Sequence, residues 1–336
     1  MIAASIVADS VNAQGNRLTT FKLRYPWFIH GELMTHRVLS RNASSNRAIP
    51  LAKMLEEARS DDLRAEPVYW GAEQKGMEPG GELGRTRPLA TQSDPLPMSP
   101  YEEARMWWKS AAMQAANCAQ AMSMGGAHKS LCNRVLMPYT HANVVVTATE
   151  WDNFFGLRLD KAADPTMRAL AVKMWEERAK SVPKLLQPGK WHLPFADDWG
   201  TTHDLEEFIN QKQRFELGTD DLIKISVARC ARVSYESFET GRRSTVEEDL
   251  RLYDRLVGAQ PLHASPAEHQ ATPDEPDTYS ISVPKQTEEQ KAARFVPLTM
   301  EIKMKHPEQW GNFVGWRQYR QMLPGQAVAP LPEDYR

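Results

Sequence analysis

The chain has few cysteines, no long apolar run and no signal-like start, and each absence excludes a class of protein. Only three of its 336 residues are cysteines, and no two form a Cys-x-x-Cys pair: Cys118, Cys132 and Cys230. A disulfide framework and a structural zinc site are therefore not expected. No apolar run approaches the roughly 20 residues that cross a bilayer, and the first residues lack the pattern of a secretory signal. We expect a globular protein of the cytoplasm.

An excess of charge of one sign is also lacking. The 41 Lys and Arg residues and the 43 Asp and Glu residues leave a formal net charge of -2. Such a chain has no bulk electrostatic attraction for a nucleic-acid polymer or an anionic membrane, and neither is an expected partner. A local basic cluster can still bind a small anion.

The local pattern predicts strands near the N-terminus and in the middle of the chain. A hairpin is expected where residues 5–8 and 18–24 flank a turn-rich stretch, and the β-branched residues 144–147 indicate a further short strand. Residues 61–100 are rich in proline and glycine and have little periodicity. They are therefore expected to form a long surface excursion.

Helix starts are predicted from capping patterns. Ser99 can cap a helix that has Pro100 at its first position and Glu102 completing a capping box, and this helix should end at Gly125-Gly126. Cys118 and Cys132 lie in or beside predicted helices and are expected to be packing thiols. Further helix starts are predicted at Pro26, Thr149, Asp164 and Ser244.

The segment that indicates chemistry is residues 35–48. No acidic residue lies between Glu32 and Glu56. The same stretch contains five basic side chains: His36, Arg37, Arg41, Arg47 and Lys53. Interleaved serines and asparagines add further hydrogen-bonding groups, so the segment can satisfy phosphate oxygens. The alternative is a solvated basic helix end and its loop.

This segment resembles the signature of the flavin-dependent thymidylate synthases, an Arg-His-Arg followed at fixed spacing by Ser, Asn, Ser and Arg. The positions in register are His36, Arg37, Ser40, Asn42, Ser45 and Arg47. Residues 21–26 also resemble the family's strand that enters the signature helix through a proline. The resemblance implies that Ser45 and Arg47 hold the 5′-phosphate of a nucleotide, and that His36 and Arg37 bind the flavin.

A second match covers residues 134–138 and 150–158, which resemble the family's Arg-x-x-Leu-Pro segment and its later Asn-Phe-x-x-Leu-Arg helix. The resemblance implies that Arg134 helps to hold the nucleotide and that Asn153 contacts the flavin. Arg158 is implied to lie between flavin and pyrimidine, where it binds and polarises the base. Without the neighbouring match, Arg134 could equally be a surface cation and Asn153 a helix-surface amide.

A third match lies within residues 226–270 and resembles the family's N-terminal portion, in which an Ala-Arg-Val-Ser strand leads to a helix and then to a His-x-Thr/Ser-Pro-x-Glu-His element. Here this portion follows the signature, which a circular permutation explains. The resemblance implies that His263 approaches the flavin and folate region as a catalytic residue. It implies that the cofactor is bound by Ser234, Ser265 and Glu268. Without it, His263 and His269 would be a loop pair with little reason to bind a metal.

Three positions depart from the family pattern and lie at or near its nucleotide site. The signature's first arginine is Thr35, a family glutamine aligns with Glu32, and a family glutamate is Ala43. Glu32 could accept a hydrogen bond from the amino group of cytosine. It would repel the C4 carbonyl of uracil unless it is protonated or paired with Arg37 or Arg134. The alternative is that Glu32 pairs with an arginine of residues 226–270 and the substrate stays deoxyuridylate.

Together the matches imply a single catalytic domain over residues 1–336, with an α+β fold, a mixed β-sheet flanked by helices and permuted segment order. Residues 50–129 and 275–336 have no counterpart in the family. The implied reaction is methylation of dUMP to dTMP without a cysteine nucleophile. FAD is the implied cofactor, with NADPH and methylenetetrahydrofolate as co-substrates, and a homotetramer with shared active sites is the implied assembly. Its location would be the cytoplasm of a bacterial or phage-infected cell.

Two alternatives differ from this reading in chemistry. The first is methyl or hydroxymethyl transfer to dUMP or to another pyrimidine deoxynucleotide, such as dCMP, on the same scaffold. The second is a non-catalytic nucleotide-binding protein that has kept the phosphate pocket but lost flavin. Flavin absorbance separates the second alternative from both enzymes.

Overall fold

A five-stranded mixed β-sheet lies at the centre of the computed structural model, which describes residues 1–89, 97–196, 217–233, 242, 244–258, 262–282, 289 and 299–327. Its strands stand in the order β3-β4-β2-β1-β5, with every neighbouring pair antiparallel except the parallel pair β1/β5. The strands are β1 (Ala3–Val11), β2 (Arg17–Pro26), β3 (Ser40–Ala43), β4 (His141–Ala148) and β5 (Lys184–Leu185). Strands β1 and β2 confirm the predicted hairpin, and β4 confirms the predicted strand at residues 144–147.

Helices flank this sheet. They are α1 (His30–Met34), α2 (Leu51–Arg59), α3 (Pro100–Met124), α4 (Lys129–Leu136), α5 (Asp152–Arg158), α6 (Pro165–Lys180), α7 (Thr219–Arg232), α8 (Val246–Leu256) and the short α9 (Tyr319–Met322). The capping box of α3 is confirmed, because Ser99 Oγ accepts from Glu102 N and a Glu102 carboxylate oxygen accepts from Ser99 N. A helix with Thr245 as its cap confirms the start predicted near Ser244.

Two small antiparallel sheets complete the C-terminal part of the chain. One pairs β6 (Ala271–Pro273) with β9 (Trp316–Gln318), and the other pairs β7 (Pro276–Ser282) with β8 (Thr299–Met304). A 3-10 helix, Ser265–Glu268, precedes β6. The observed combination of a mixed sheet and flanking helices confirms the predicted α+β fold class, whereas the permuted segment order stays a prediction.

The two faces of the central sheet bury different groups, because successive residues of a strand point to opposite faces. One face packs apolar side chains of β2 and β4 against residues 151–174 in the main hydrophobic core. That core includes Phe21, Leu23, Tyr25, Val144, Val146, Trp151, Phe154, Met167, Leu170 and Met174. The opposite face carries Thr20, Val145 and Thr147 and packs on the C-terminal part of the chain.

Residues 231–233 do not form the strand that the family has here. Ala231 and Arg232 close helix α7, and Val233 follows in the left-handed conformation with φ of 58°. Asp220 and Asp221 favour the helix, because carboxylates in its first turn interact well with the helix dipole. Ser234 lies outside the described residues.

The predicted excursion at residues 61–100 contains turns and an isolated bridge between Gly71 and Glu82 in its part before residue 90. Its residues 90–96 lie outside the described part of the chain. The excursion and the single catalytic domain stay predictions. Within the described ranges, no helix has both the length and the apolar character needed to cross a membrane.

Candidate functional site

The signature segment runs from the end of α1 through β3, and its own side chains hold its shape. Arg41 Nη1 donates to Met34 O (3.0 Å) and His36 O (2.8 Å), which satisfies carbonyl oxygens left free where α1 ends. His36 is buried against the edge of Phe154, with ring centroids 5.0 Å apart. The backbone around His36 is therefore fixed from two sides.

Arg158, the last residue of α5, binds this segment through four hydrogen bonds. Its Nε donates to His36 Nε2 (2.9 Å), and its Nη1 donates to Glu32 Oε2 (3.0 Å) in an ion pair. Its Nη2 donates to Glu32 O (3.2 Å) and Thr35 Oγ1 (3.1 Å). The structure thus brings together residues of the first and second matches that lie 122 positions apart. Of the five guanidinium N–H groups, one on Nη1 has no hydrogen bond to a described residue.

Burial and the charges around Arg158 together determine the protonation of its neighbours. Burial lowers the pKa of His36, and the positive charges of Arg158 and Arg41 lower it further. His36 is therefore neutral near pH 7, with its Nε2 lone pair accepting from Arg158. Burial and the nearby carboxylate of Asp164 raise the pKa of Glu32, while Arg158 opposes that rise.

Glu32 therefore has a partner that the sequence did not indicate. The expected partners were Arg37, Arg134 or an arginine of residues 226–270, whereas the structure pairs Glu32 with Arg158. Thr35, which stands where the family has an arginine, also contacts Arg158. Two of the three departures from the family pattern thus meet at one guanidinium.

The residues predicted to bind phosphate lie on two adjoining elements. Ser45 and Arg47 are exposed in the turn after β3, where Ser45 Oγ accepts from Arg47 N (3.3 Å). Arg134 is exposed on α4. Asn133 ties α4 to this turn, because its Nδ2 donates to Asn46 O (2.7 Å) and Ile49 O (3.0 Å). The side chains of all three candidates are open to an anion.

The residues predicted to bind the flavin vary in exposure. Arg37 and Asn153 are exposed, and so are His263 and Ser265. Glu268 is half-buried and forms an ion pair with Arg320. The backbone N–H of His263 donates to Leu256 O (2.7 Å) at the end of α8. The predicted approach of His263 to the flavin and folate region stays a prediction.

Residues 226–270 pack directly on the signature strand β3. Asn42 Nδ2 donates to Cys230 O (2.8 Å) at the end of α7. Gln318 Nε2 donates both to Ser40 Oγ (3.2 Å) in β3 and to Glu268 O (3.0 Å) in the 3-10 helix. The first and third matches are therefore neighbours in space.

Sequence reasoning missed Gln318 and Arg320, which contact the backbone and the carboxylate of Glu268. Both lie in the C-terminal stretch that has no counterpart in the family, so no motif indicated them. Among the described residues, no three His, Cys, Asp or Glu side chains are grouped so that they could hold a metal ion.

Comparison with known proteins gives one family match. The model of the thymidylate synthase complementing protein family, Thy1, matches residues 18–184. That range contains the signature segment, Arg134 and the helix that ends at Arg158. A comparison with curated proteins finds no match.

Two solved structures show a weak likeness. Both are of a UMP/dUMP methylase, PolB, from Streptomyces cacaoi, one bound with 5-Br UMP and the other with 5-Br dUMP. Each is 16% identical over 53% of this chain and covers 88% or 89% of the other chain, with TM-scores of 0.35 and 0.36. Likeness at this level does not establish a shared site.

The family match and the first two motif matches cover the same part of the chain. The family match ends at residue 184, before residues 226–270, so it covers the first and second motif matches and not the third. Through its residues 18–184 the chain belongs to the thymidylate synthase complementing protein family, and it is a thymidylate synthase-like methyltransferase.

Proposed function

We propose that this enzyme methylates C5 of the uracil ring of dUMP, with FAD as cofactor and with methylenetetrahydrofolate and NADPH as co-substrates. The observation that carries the proposal is the contact of Arg158 with His36 and the end of α1. It joins the two motifs to which the family resemblance assigns the pyrimidine and the flavin.

Arg158 is the residue proposed to polarise the base. Methylation at C5 requires electron withdrawal at C6, and a cation placed where negative charge develops on the ring stabilises that charge. Four hydrogen bonds hold the guanidinium before any ligand arrives, and such preorganised charge stabilises a transition state without reorganisation. The remaining N–H on Nη1 is the donor proposed to contact the pyrimidine.

The nucleotide phosphate is assigned to Ser45, Arg47 and Arg134. Two exposed guanidinium groups and a hydroxyl match the chemistry of a dianionic phosphate, because arginine binds such groups by paired, charge-assisted hydrogen bonds. They lie on α4 and on the turn after β3, which Asn133 joins by hydrogen bonds. Solvent exposure leaves their side chains free to bind the phosphate.

The residues proposed to hold FAD fit it by their chemistry. Exposed Arg37 supplies positive charge for the pyrophosphate, while Asn153 and Ser265 supply neutral donors and acceptors for polar ring atoms. His36, Glu268 and Ser234 complete the proposed set, and His263 is placed toward the folate. When bound, FAD supplies the reducing equivalents that this methylation requires.

The cysteines support a route without a cysteine nucleophile. Cys132 is buried, as expected of a packing thiol, but the same expectation is wrong for Cys118, which is exposed on α3. Burial raises the pKa of the Cys230 thiol, so it stays protonated. None of the three occupies a position of the matched motifs.

The pairing of Glu32 with Arg158 favours uracil over cytosine. An unpaired carboxylate would repel the C4 carbonyl of uracil, whereas the paired one is neutralised by the adjacent guanidinium. Methyl or hydroxymethyl transfer to dCMP is the competing outcome, since the second oxygen of Glu32 can still accept from an amino group.

A single assay tests the proposal. Purified protein is scanned for flavin absorbance and then incubated with labelled methylenetetrahydrofolate, NADPH and either dUMP or dCMP. We expect bound flavin and labelled dTMP from dUMP. Labelled product from dCMP alone would transfer the function to the cytosine nucleotide, and nucleotide binding without flavin or product would overturn the enzymatic proposal.

A further inference from the structure

Five buried polar side chains form a continuous row of hydrogen bonds across the second face of the central sheet. The contacts are Ser10 Oγ to His192 Nδ1 (2.9 Å), His192 Nε2 to Thr20 Oγ1 (2.7 Å), Thr20 Oγ1 to Thr147 Oγ1 (2.7 Å) and Thr147 Oγ1 to His269 Nδ1 (2.8 Å). All five residues have an exposed fraction of 0%. This row is called the polar seam below.

The polar seam joins the family-matched part of the chain to the third match. Thr20 and Thr147 belong to strands within residues 18–184, whereas His269 ends the His-x-Ser-Pro-x-Glu-His element. Thr147 also pairs in register with Ser40 of the signature strand. The seam therefore fixes the third match against the strand next to the signature.

Both histidines of the polar seam are neutral. Burial lowers the pKa of His192 and that of His269 to about 3, so each ring carries one N–H near pH 7. His269 Nε2 is buried without a hydrogen-bond partner among the described residues. Because an unpaired buried N–H is rarely tolerated, we place the hydrogen on Nδ1, where His269 donates to Thr147.

The residue before His269 is the candidate cofactor ligand Glu268. Its backbone oxygen accepts from Gln318 Nε2 (3.0 Å), and the same amide reaches Ser40 Oγ (3.2 Å). Its carboxylate pairs with Arg320. The 3-10 helix Ser265–Glu268 is thus held to β3 by Gln318 and to β4 by His269.

We propose that His269 is a positioning residue, whose hydrogen bond to Thr147 fixes the 3-10 helix Ser265–Glu268 so that Ser265 and Glu268 are presented to the flavin. The proposal rests on the proposed function in one respect, namely that this helix contacts FAD. His269 itself touches no ligand, because its ring is fully buried in the seam.

Three variants separate positioning from bulk stability. His269→Asn keeps an amide near the place of Nδ1, His269→Gln moves the polar atoms toward the place of Nε2, and Thr147→Val removes the partner hydroxyl at constant shape. Thr166→Val, a buried threonine of α6 outside the seam, is the matched control. FAD and dUMP affinities are measured by titration, and hydrogen–deuterium exchange of residues 262–271 is followed without ligand.

We expect FAD affinity to fall about tenfold or more in Thr147→Val and His269→Gln, since a displacement of the order of an ångström in a positioned group is this costly. Affinity for dUMP should stay within about twofold, and exchange at residues 262–271 should be several-fold faster. His269→Asn should retain FAD affinity within about threefold of the wild type, and Thr166→Val should change neither readout.

The outcomes distinguish this inference from the proposed function. If the wild type binds FAD and both disruptive variants bind it equally well, the positioning role is overturned while the proposed function stands. If the wild type binds no FAD, the proposed function fails, and the exchange data alone test whether His269 fixes the 3-10 helix. Exchange at residues 262–271 that is the same in the wild type and in both disruptive variants would then overturn this role of His269. Faster exchange in the two variants would support it.

Discussion

Glu32 and Arg158 form an ion pair, with 3.0 Å between Glu32 Oε2 and Arg158 Nη1, although 126 positions separate them in the chain. The pair brings a residue that departs from the family pattern against a residue that follows it. Because Arg158 also donates to the backbone oxygen of Glu32, the whole end of α1 takes part in holding the guanidinium.

Glu32→Gln tests whether Glu32 reads the base or holds Arg158. Since its carboxylate already binds Arg158, we expect turnover of dUMP to fall by roughly tenfold, about 1.4 kcal/mol of lost transition-state stabilisation. The ratio of kcat/KM for dUMP and dCMP should stay within about threefold of the wild type. A large shift of that ratio toward dUMP would show that Glu32 contacts the base and discriminates between the two.

Arg47→Ala tests the phosphate site. We expect nucleotide binding to weaken by about 1.5–3 kcal/mol, the usual worth of a hydrogen bond to a charged group, because Arg47 is exposed rather than buried in the free chain. Flavin content should barely change. Lys53→Ala, which removes another exposed cation of the same basic region, is the control, and equal nucleotide affinity in both variants would remove Arg47 from the site.

The neutral buried histidines predict acid sensitivity. The pKa of His192 and that of His269 are both lowered to about 3 by burial. In the unfolded chain the pKa of a histidine is near 6.5. Below that pH the unfolded chain binds more protons than the folded one, so the folded state is destabilised progressively as the pH falls from about 6.5 toward 3.

When the pH is lowered from 7 to 5, each of these histidines should lower the free energy of unfolding by roughly 2 kcal/mol. Urea denaturation at the two pH values measures the loss. His269→Asn removes one titrating group and should reduce the pH-dependent loss by about that amount. An identical loss in wild type and variant would mean that His269 does not titrate as its burial requires.

Asp249 holds the two helices of the third match together. Its fully buried carboxylate binds Arg229 Nε (2.8 Å) and pairs with Arg232, so it joins α8 to α7. Asp249→Ala leaves two buried guanidinium groups without this carboxylate and should lower the free energy of unfolding by about 3–5 kcal/mol. Asp254→Ala, on the exposed side of α8, should cost less than about 0.5 kcal/mol. Similar losses in both variants would contradict a structural role for the buried pair.

A homotetramer with shared active sites is the predicted assembly. Mass measurement at assay concentration should give four copies, and dilution that dissociates them should abolish turnover, because each site would lose residues from its neighbours. A fully active monomer would refute shared sites while leaving the residue assignments within one chain intact.

Local features of this protein follow from its sequence. The capping box of α3 depends on Ser99 and Glu102, which lie within one helical turn, and the β1–β2 hairpin depends on alternation around a short turn. The α+β class and the family follow from such patterns and from the fixed spacing between His36 and Arg47. Interactions over a few residues operate wherever the segment lies in the fold, so a sequence pattern is enough to specify them.

Only the tertiary structure decides which distant side chains meet. The partner of Glu32 is Arg158, the partner of Glu268 is Arg320, and His269 reaches Thr147 across 122 positions. The exposure of Cys118 likewise depends on which face of α3 the neighbouring helices cover. These contacts depend on how whole helices and strands pack, and packing is set by the summed burial of many residues rather than by any local pattern.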